Sequence, residues 1–453
     1  VTFALTPLKH LLAAAVLCLS ALPLRAAVDI QTVTSPGGID AWLVEDHSIP
    51  FVALELRFRG GASLDAPGKR GATYLMTALL EEGAADLDAQ GFAAARESLA
   101  ARLSFDVGDD ALSVSARMLT ETRDEAADLL KLALTQPRFD ADAVERVRGQ
   151  VLSGLQSDAQ DPNVLADRAF SRLAFGDHPY GTPYEGTLDS VAALTRDDLV
   201  AAKDAVLARD RVVASAVGDI TAAELGALLD TLLADLPATG APMPDDVVPD
   251  LTAGVTTVDF PTPQSVVVFG QPGMERDDPD FFAAYILNQI LGGGGFSSRL
   301  MTEVREARGL SYGVYSYLVP RDHAATWQGS LASSNARAAE AIDVVRSEWA
   351  KVAAEGVTAE ELEAAKTYLT GSYPLRFDGN SRIADILVGM QLDDLPPDYV
   401  ETRNAKIEAV TLDDIRRVAG EWLMPGRLRF VVVGQPEALD GAEAMVIPAA
   451  GED

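Results

Sequence analysis

Cysteine is nearly absent from this chain: its 453 residues include one, Cys18. That excludes a disulfide framework and any zinc or iron–sulfur centre built on thiolates. Histidine is almost as scarce, with His10, His47, His178 and His323 making up the full set. Apart from His10, near the start, these lie more than 100 residues from one another. No helix can therefore present two of them one turn apart, and a two-histidine zinc motif is absent in either reading direction. The G-x-S-x-G elbow of a serine hydrolase is missing too, and a lone histidine is more often a loop or packing residue than a general base. Positive charge is also short. Lys and Arg number 37 against 68 Asp and Glu, a net charge of −31, which is the wrong sign for a nucleic-acid partner. An apolar share of 48% rules out a disordered acidic tail. The length exceeds one ordinary core and fits two to four domains.

Long apolar runs are likewise few. Leu11–Leu24 is preceded by Lys9 and His10 and followed by Arg25-Ala26-Ala27. A basic start, a short apolar stretch and small residues at a cut site describe a secretory signal peptide over residues 1–27. The run is short for a membrane span, and no other apolar run reaches 18 residues. Cys18 has apolar residues on both sides, unlike a lipid-anchor cleavage site. Losing Lys9 and Arg25, with no acid, takes the charge from −31 to −33 and leaves no cysteine. The expectation is a soluble periplasmic protein with no membrane span after cleavage.

What is abundant is alternation of short β-patterned runs with longer helical ones. Phe51–Phe58 and Leu112–Arg117 alternate with period two, and Arg123–Leu134, Asp140–Leu155 and Asn335–Ala354 carry helical patterning. Leu236–Leu251, rich in proline, reads as an interdomain linker. The expected division is a first half over 28–236, a linker over 237–250 and a second half over 251–453. The two sides repeat each other. Thr195-Arg-Asp-Asp-Leu199 leads to Val217-Gly218, and Thr411-Leu-Asp-Asp-Ile415 to Val433-Gly434, with seven of 24 aligned positions identical. An internal duplication of two α+β halves follows.

Three stretches invite a chemical reading. Gly292-Gly-Gly-Gly295 is followed by Phe296-Ser297-Ser298-Arg299, and the lysine of a P-loop is missing. The run reads as a flexible break between a helix ending near Leu291 and one starting at Ser297 or Ser298, with a possible contact to a peptide. Asp86 to Glu97 imitates a calcium loop, but Gln90 and Ala94 occupy ligand positions, so it reads as a polar loop leading into a helix. Arg305 falls near the end of an expected helix, Ser298–Arg308, that Gly309 is placed to stop, and Tyr312 opens a β-patterned run to Val319. A guanidinium and a phenol brought together there could both donate to a carbonyl oxygen or a tetrahedral oxyanion. The bland alternative is a surface arginine and tyrosine on a strand.

LGGGGFSSRLMTEVREARGLSYGVYSYL, residues 291–318, resembles the second-half signature of the insulinase/pitrilysin family of zinc peptidases. So do the duplicated halves, the linker and His178-Pro-Tyr-Gly181, and the resemblance covers about 28–440. It implies two halves of one fold, each a mainly antiparallel sheet packed with helices, and a clamshell that closes around an unfolded peptide. Active members carry H-x-x-E-H on a helix of the first half, within a stretch of the form G-x-A-H-F-L-E-H-M-x-x-x-G. Here that stretch runs from Gly71 to Gly83, and Tyr74, Thr77 and Ala78 stand where the first histidine, the catalytic glutamate and the second histidine belong. The place of the third ligand falls at Gly154, with Ser153 and Leu155 to either side. Such side chains supply neither imidazole nor base. Nearby Glu81 and Glu82 read as solvated charges.

The family's substrate-side pair is retained, at Arg305 and Tyr312. The resemblance implies that they hydrogen-bond the substrate backbone and stabilise the intermediate beside the zinc of the other clamshell half. The expected function is thus the metal-free subunit of a periplasmic heterodimeric zinc peptidase, with no metal on this chain and Zn²⁺ on a partner bearing H-x-x-E-H. Unfolded peptide would be the substrate, with Gly292, Gly293, Gly294 and Gly295 among its contacts. The alternative is a non-enzymatic scaffold or peptide-binding protein of the same fold.

Overall fold

The computed structural model describes residues 29–439 and 441–446, and the expected leader lies outside them. The first half builds a six-stranded sheet from β1 (Gln31–Thr34), β2 (Asp40–Glu45), β3 (Phe51–Arg59), β4 (Arg102–Val107), β5 (Ala111–Leu119) and β6 (Val212–Gly218), in the order β1-β2-β6-β3-β5-β4. The second builds another from β7 (Gly254–Asp259), β8 (Gln264–Pro272), β9 (Val314–Arg321), β10 (Ala324–Ser334), β11 (Arg429–Gly434) and β12 (Glu443–Ala444), in the order β9-β10-β8-β11-β7-β12. Five strands of each correspond. The series β4-β5-β3-β6-β2 and β9-β10-β8-β11-β7 both run through three antiparallel pairings to one parallel pairing. Only the outermost strand differs, β1 lying antiparallel to β2 and β12 parallel to β7.

The repeated sequence is repeated structure. Thr195 and Thr411 each form a capping box, with Asp198 and Asp414, at the start of Arg196–Val206 and Leu412–Trp422. The strands that follow end at Gly218 (φ 135°) and Gly434 (φ 153°), where a Cβ would strike Phe51 and Ser265 of the neighbouring strand.

Strand β3 departs from the expected half-buried alternation, because both of its faces are covered. Leu54, Leu56 and Phe58 pack against helices of their own half, including α1 (Ala72–Ala78), through Leu75 and Met76. Phe51 and Ala53 pack instead against Ala384, Leu387 and Met390 of α4 (Asn380–Leu392), a helix from the other half. The second sheet mirrors this. Val267, Phe269, Phe430 and Val432 face helices of their own half, whereas Val266, Val268, Val431 and Val433 meet Leu165, Ala169 and Phe170 of α3 (Pro162–Phe175). Between α1 and α3 in the chain runs α2 (Ala141–Asp158). Each half thus lends one helix to the other's sheet.

Polar contacts fix the loan. Arg59 donates to the carbonyls of Gln391 (2.7 Å) and Leu392 (2.8 Å) at the C-terminus of α4, where the helix dipole favours a cation. Ser215 Oγ donates to Ala384 O at 2.6 Å and Gln391 Nε2 to Ala214 O at 2.8 Å. The segment 237–253 has no regular structure and is tied to both halves. Ala241 N donates to Ala205 O, Val247 N to His323 O and Asp250 N to Ala174 O. Among the described residues, no helix is long and apolar enough to cross a membrane.

Candidate functional site

Helix α1 begins at Gly71 (φ 92°) and is anchored by Asp65, which accepts from Gly71 N (2.8 Å), Thr73 N (2.8 Å) and Thr73 Oγ1 (2.6 Å). Burial raises that carboxyl above its ordinary range, while the bonds from Thr73 act in the opposite direction. Thr77, in the glutamate's place, is buried and turns its hydroxyl back on Thr73 O at 2.7 Å. Ala78, in the second histidine's place, is exposed and has no donor atom to offer. Tyr74 is half-buried and meets Tyr184 edge-on at 5.9 Å, with its phenol pKa raised by burial and then by Glu185. Gly154 is exposed on α2 with open space around it. Glu81 and Glu82 are not simply solvated: they pair with Arg96 (2.7 Å) and Arg146 (2.5 Å). Among the described residues no group of three or more His, Cys, Asp or Glu is placed to hold a metal ion.

The histidines have other uses. His47 pairs with Asp219 at 2.6 Å, which raises its pKa. His178 and His323, distant in sequence, come within 6.4 Å at the junction of the halves. There Tyr180 donates to Asp110 and accepts from His323 N at 3.1 Å, and Asp109 is shared by Arg70 (2.6 Å) and Arg321 (3.4 Å). Sequence reasoning gave this cluster no role, and nothing in the spacing signals it.

In the second half, the glycine run is not a flexible break. Gln289–Gly293 continues helix Phe281–Asn288 as a wider π turn, and Gly295–Ser297 forms a 3₁₀ turn. A Cβ on Gly292 would lie 2.6 Å from Ser316 N of β9, so glycine is needed for close approach of this turn to the sheet. Asn288 locks the same place, its Oδ1 accepting from Ser316 Oγ (2.8 Å) and Trp327 Nε1 (2.9 Å). The next helix is also wide, with π geometry over Met301–Glu306.

The structure brings Arg305 and Tyr312 together. The Arg305 guanidinium carbon lies 5.4 Å from the Tyr312 ring centre and 4.5 Å from that of Phe296, so the cation sits between two rings. Among the described residues it has no hydrogen-bond acceptor or acidic partner. Tyr312 is 87% exposed and Phe296 65%. Tyr312 does not open the strand as expected: β9 starts at Val314, because Ser311 Oγ folds the chain locally through Gly313 N (3.1 Å) and Gly313 O (2.6 Å). Phe296 is the part that sequence reasoning missed; its one signal was a large apolar residue directly after a glycine run. The outcome is a set of free N–H and O–H donors, held on aromatic faces and open to solvent.

Residues 41–188 match the family model described as Insulinase (Peptidase family M16), and residues 193–369 the one described as Peptidase M16 inactive domain. The crystal structure of a peptidase M16 inactive domain from Pseudomonas fluorescens is similar to this chain at a TM-score of 0.84 and 30% identity, over 92% of this chain and 100% of that one. The chain belongs to the insulinase family. A Helicobacter pylori protein called non-peptidase homolog YmxG is 29% identical over 373 residues, 82% of this chain and 86% of that one. An uncharacterized zinc protease of Streptomyces coelicolor is 27% identical over 405 residues, 87% of each. On α1 of this insulinase-family chain, Tyr74, Thr77 and Ala78 offer neither an imidazole nor a carboxylate.

Proposed function

We propose that this chain is the metal-free subunit of a two-chain zinc peptidase of the periplasm, supplying Arg305 and Tyr312 in trans to a partner that holds Zn²⁺. The observation that carries the reading is the Arg305 guanidinium, oriented between Phe296 and Tyr312 while its donors stay unused. An unpaired donor set at a surface stabilises developing negative charge on an oxygen brought to it. The degenerate first-half helix supports the complementary point, since Tyr74, Thr77 and Ala78 leave water activation to another chain. Unfolded peptide is the substrate in this reading, with Gly292–Gly295 at the wall of the binding chamber.

The test starts with tagged mature chain recovered from its native periplasm and assayed for chelator-sensitive cleavage of an unfolded peptide. Cleavage with an H-x-x-E-H protein in the eluate supports the two-chain enzyme. In that complex Tyr312→Phe lowers kcat by about 10²-fold and leaves assembly unchanged; undiminished kcat removes the in-trans role. A second reading, a peptide-binding or scaffold protein without turnover, draws on the Helicobacter pylori relative being called a non-peptidase homolog. It gains if the chain elutes alone and inert.

A further inference from the structure

A second place concentrates positive charge on aromatic walls, away from Arg305 and from α1. A cleft of about 340 Å³ opens between α4, helix Phe281–Asn288, the turn at Tyr373–Arg376 and helix Tyr399–Ala409. Its walls include Phe281, Tyr285, Tyr373, Met390 and Tyr399. Arg403 lines it and is only 5% exposed. Its guanidinium lies 4.2 Å over the Tyr373 ring and 5.7 Å from that of Tyr285. Nη1 donates to Leu369 O and Asn404 Oδ1, both at 3.1 Å, and no acidic side chain pairs with it among the described residues. Arg376, exposed at the rim, has no acidic partner among them either.

The two acids of the cleft are already engaged. Asp385 accepts from Arg57 at 2.7 Å, and Asp393 lies 3.6 Å from Arg276. Arg276 stacks at 4.2 Å on Phe281 and donates to Tyr399 Oη at 2.7 Å. The cleft is therefore left with two uncompensated guanidinium groups, in a chain whose net charge is −31. Burying a cation without a counter-charge is costly, and the rings offset only part of that cost. A bound anion would remove the remainder, and flat apolar walls select what the anion is attached to.

We infer that this cleft binds a carboxylate borne on an aromatic or similarly flat apolar body, with Arg403 and Arg376 receiving the carboxylate and Phe281, Tyr285 and Tyr373 the body. A free aromatic acid and the last residue of a peptide share that chemistry. Isothermal titration of the mature protein with N-acetyl-phenylalanine, N-acetyl-phenylalaninamide and a tripeptide ending in phenylalanine tests it. The acid, the tripeptide or both bind, and the uncharged amide binds at least about ten-fold more weakly. The stronger of the two carboxylates identifies the source. Arg376→Gln, at an exposed position, weakens binding by about ten-fold or more. Gly389→Leu abolishes it: Gly389 lines the cleft on α4, and a Cβ there meets nothing within 4 Å, so a larger side chain enters the cleft from a position with open space. Equal binding of acid and amide, no binding of any probe at millimolar concentration, or full binding by the folded Gly389→Leu protein overturns the inference.

Discussion

Arg305 is positioned by ring faces, Gly292 by the absence of a side chain, and Asp322 by an unfavourable neighbour. At Gly292, alanine would press its Cβ on the side chain and backbone of Ser316. Gly292→Ala should lower stability by about 1–3 kcal/mol, read as a fall in urea midpoint with an unchanged m-value. Asp322 lies in the β9–β10 turn and is exposed as a residue, but the protein packed around its carboxyl and then Asp110 push that group up to about 6, against the pull of Arg59 and His323. The fold thus prefers the protonated acid. This contribution is fully present below the ordinary aspartate pKa near 4 and is lost as pH rises through about 6. Asp322→Asn should be more stable than the parent at pH 7.5 and show a flatter fall in midpoint between pH 4 and 7. An unchanged pH profile would contradict the placement.

At the scale of elements, local signals and tertiary ones separate cleanly. The two helix starts were legible as a repeated Thr-x-Asp-Asp pattern, whose Thr and Asp, three residues apart, satisfy each other within one turn as capping boxes. The stretch Gly71–Gly83 could be set beside the family's zinc motif only through the resemblance, because Tyr74, Thr77 and Ala78 carry none of its ligand chemistry. The π turns around the glycine run were not legible, since they are imposed by contact with β9, and a run of glycines reads locally as slack. Nor was the helix exchange. An amphipathic pattern states that a face is apolar and is silent on which half covers it. The same silence hid Phe296, whose partner Arg305 lies nine residues on, off the helical period. Helix α4 also depends on a residue from the other half, Arg59, for its C-terminal carbonyls. Arg59→Met should cost about 1–2 kcal/mol and show most strongly as faster amide exchange in the last turn of α4.

The whole molecule is two copies of one plan, but it does not divide at the segment between them. Residues 29–236 alone would lose α4 from one face of their sheet, and the second half would lose α3 from the matching face. Each would expose a contiguous apolar surface larger than a monomer tolerates. Expressed separately, the halves should aggregate; expressed together, they should co-elute as one species of the parent's size on gel filtration. Two stable monomeric halves would refute the exchange as an energetic tie. The same reciprocal packing makes the covalent connection redundant. A protease that nicks the strap within 237–250 should leave a molecule that migrates as two pieces only after denaturation, and its thermal midpoint should barely move. By that logic the gene could be split within that segment, and its two products made together, without losing the fold.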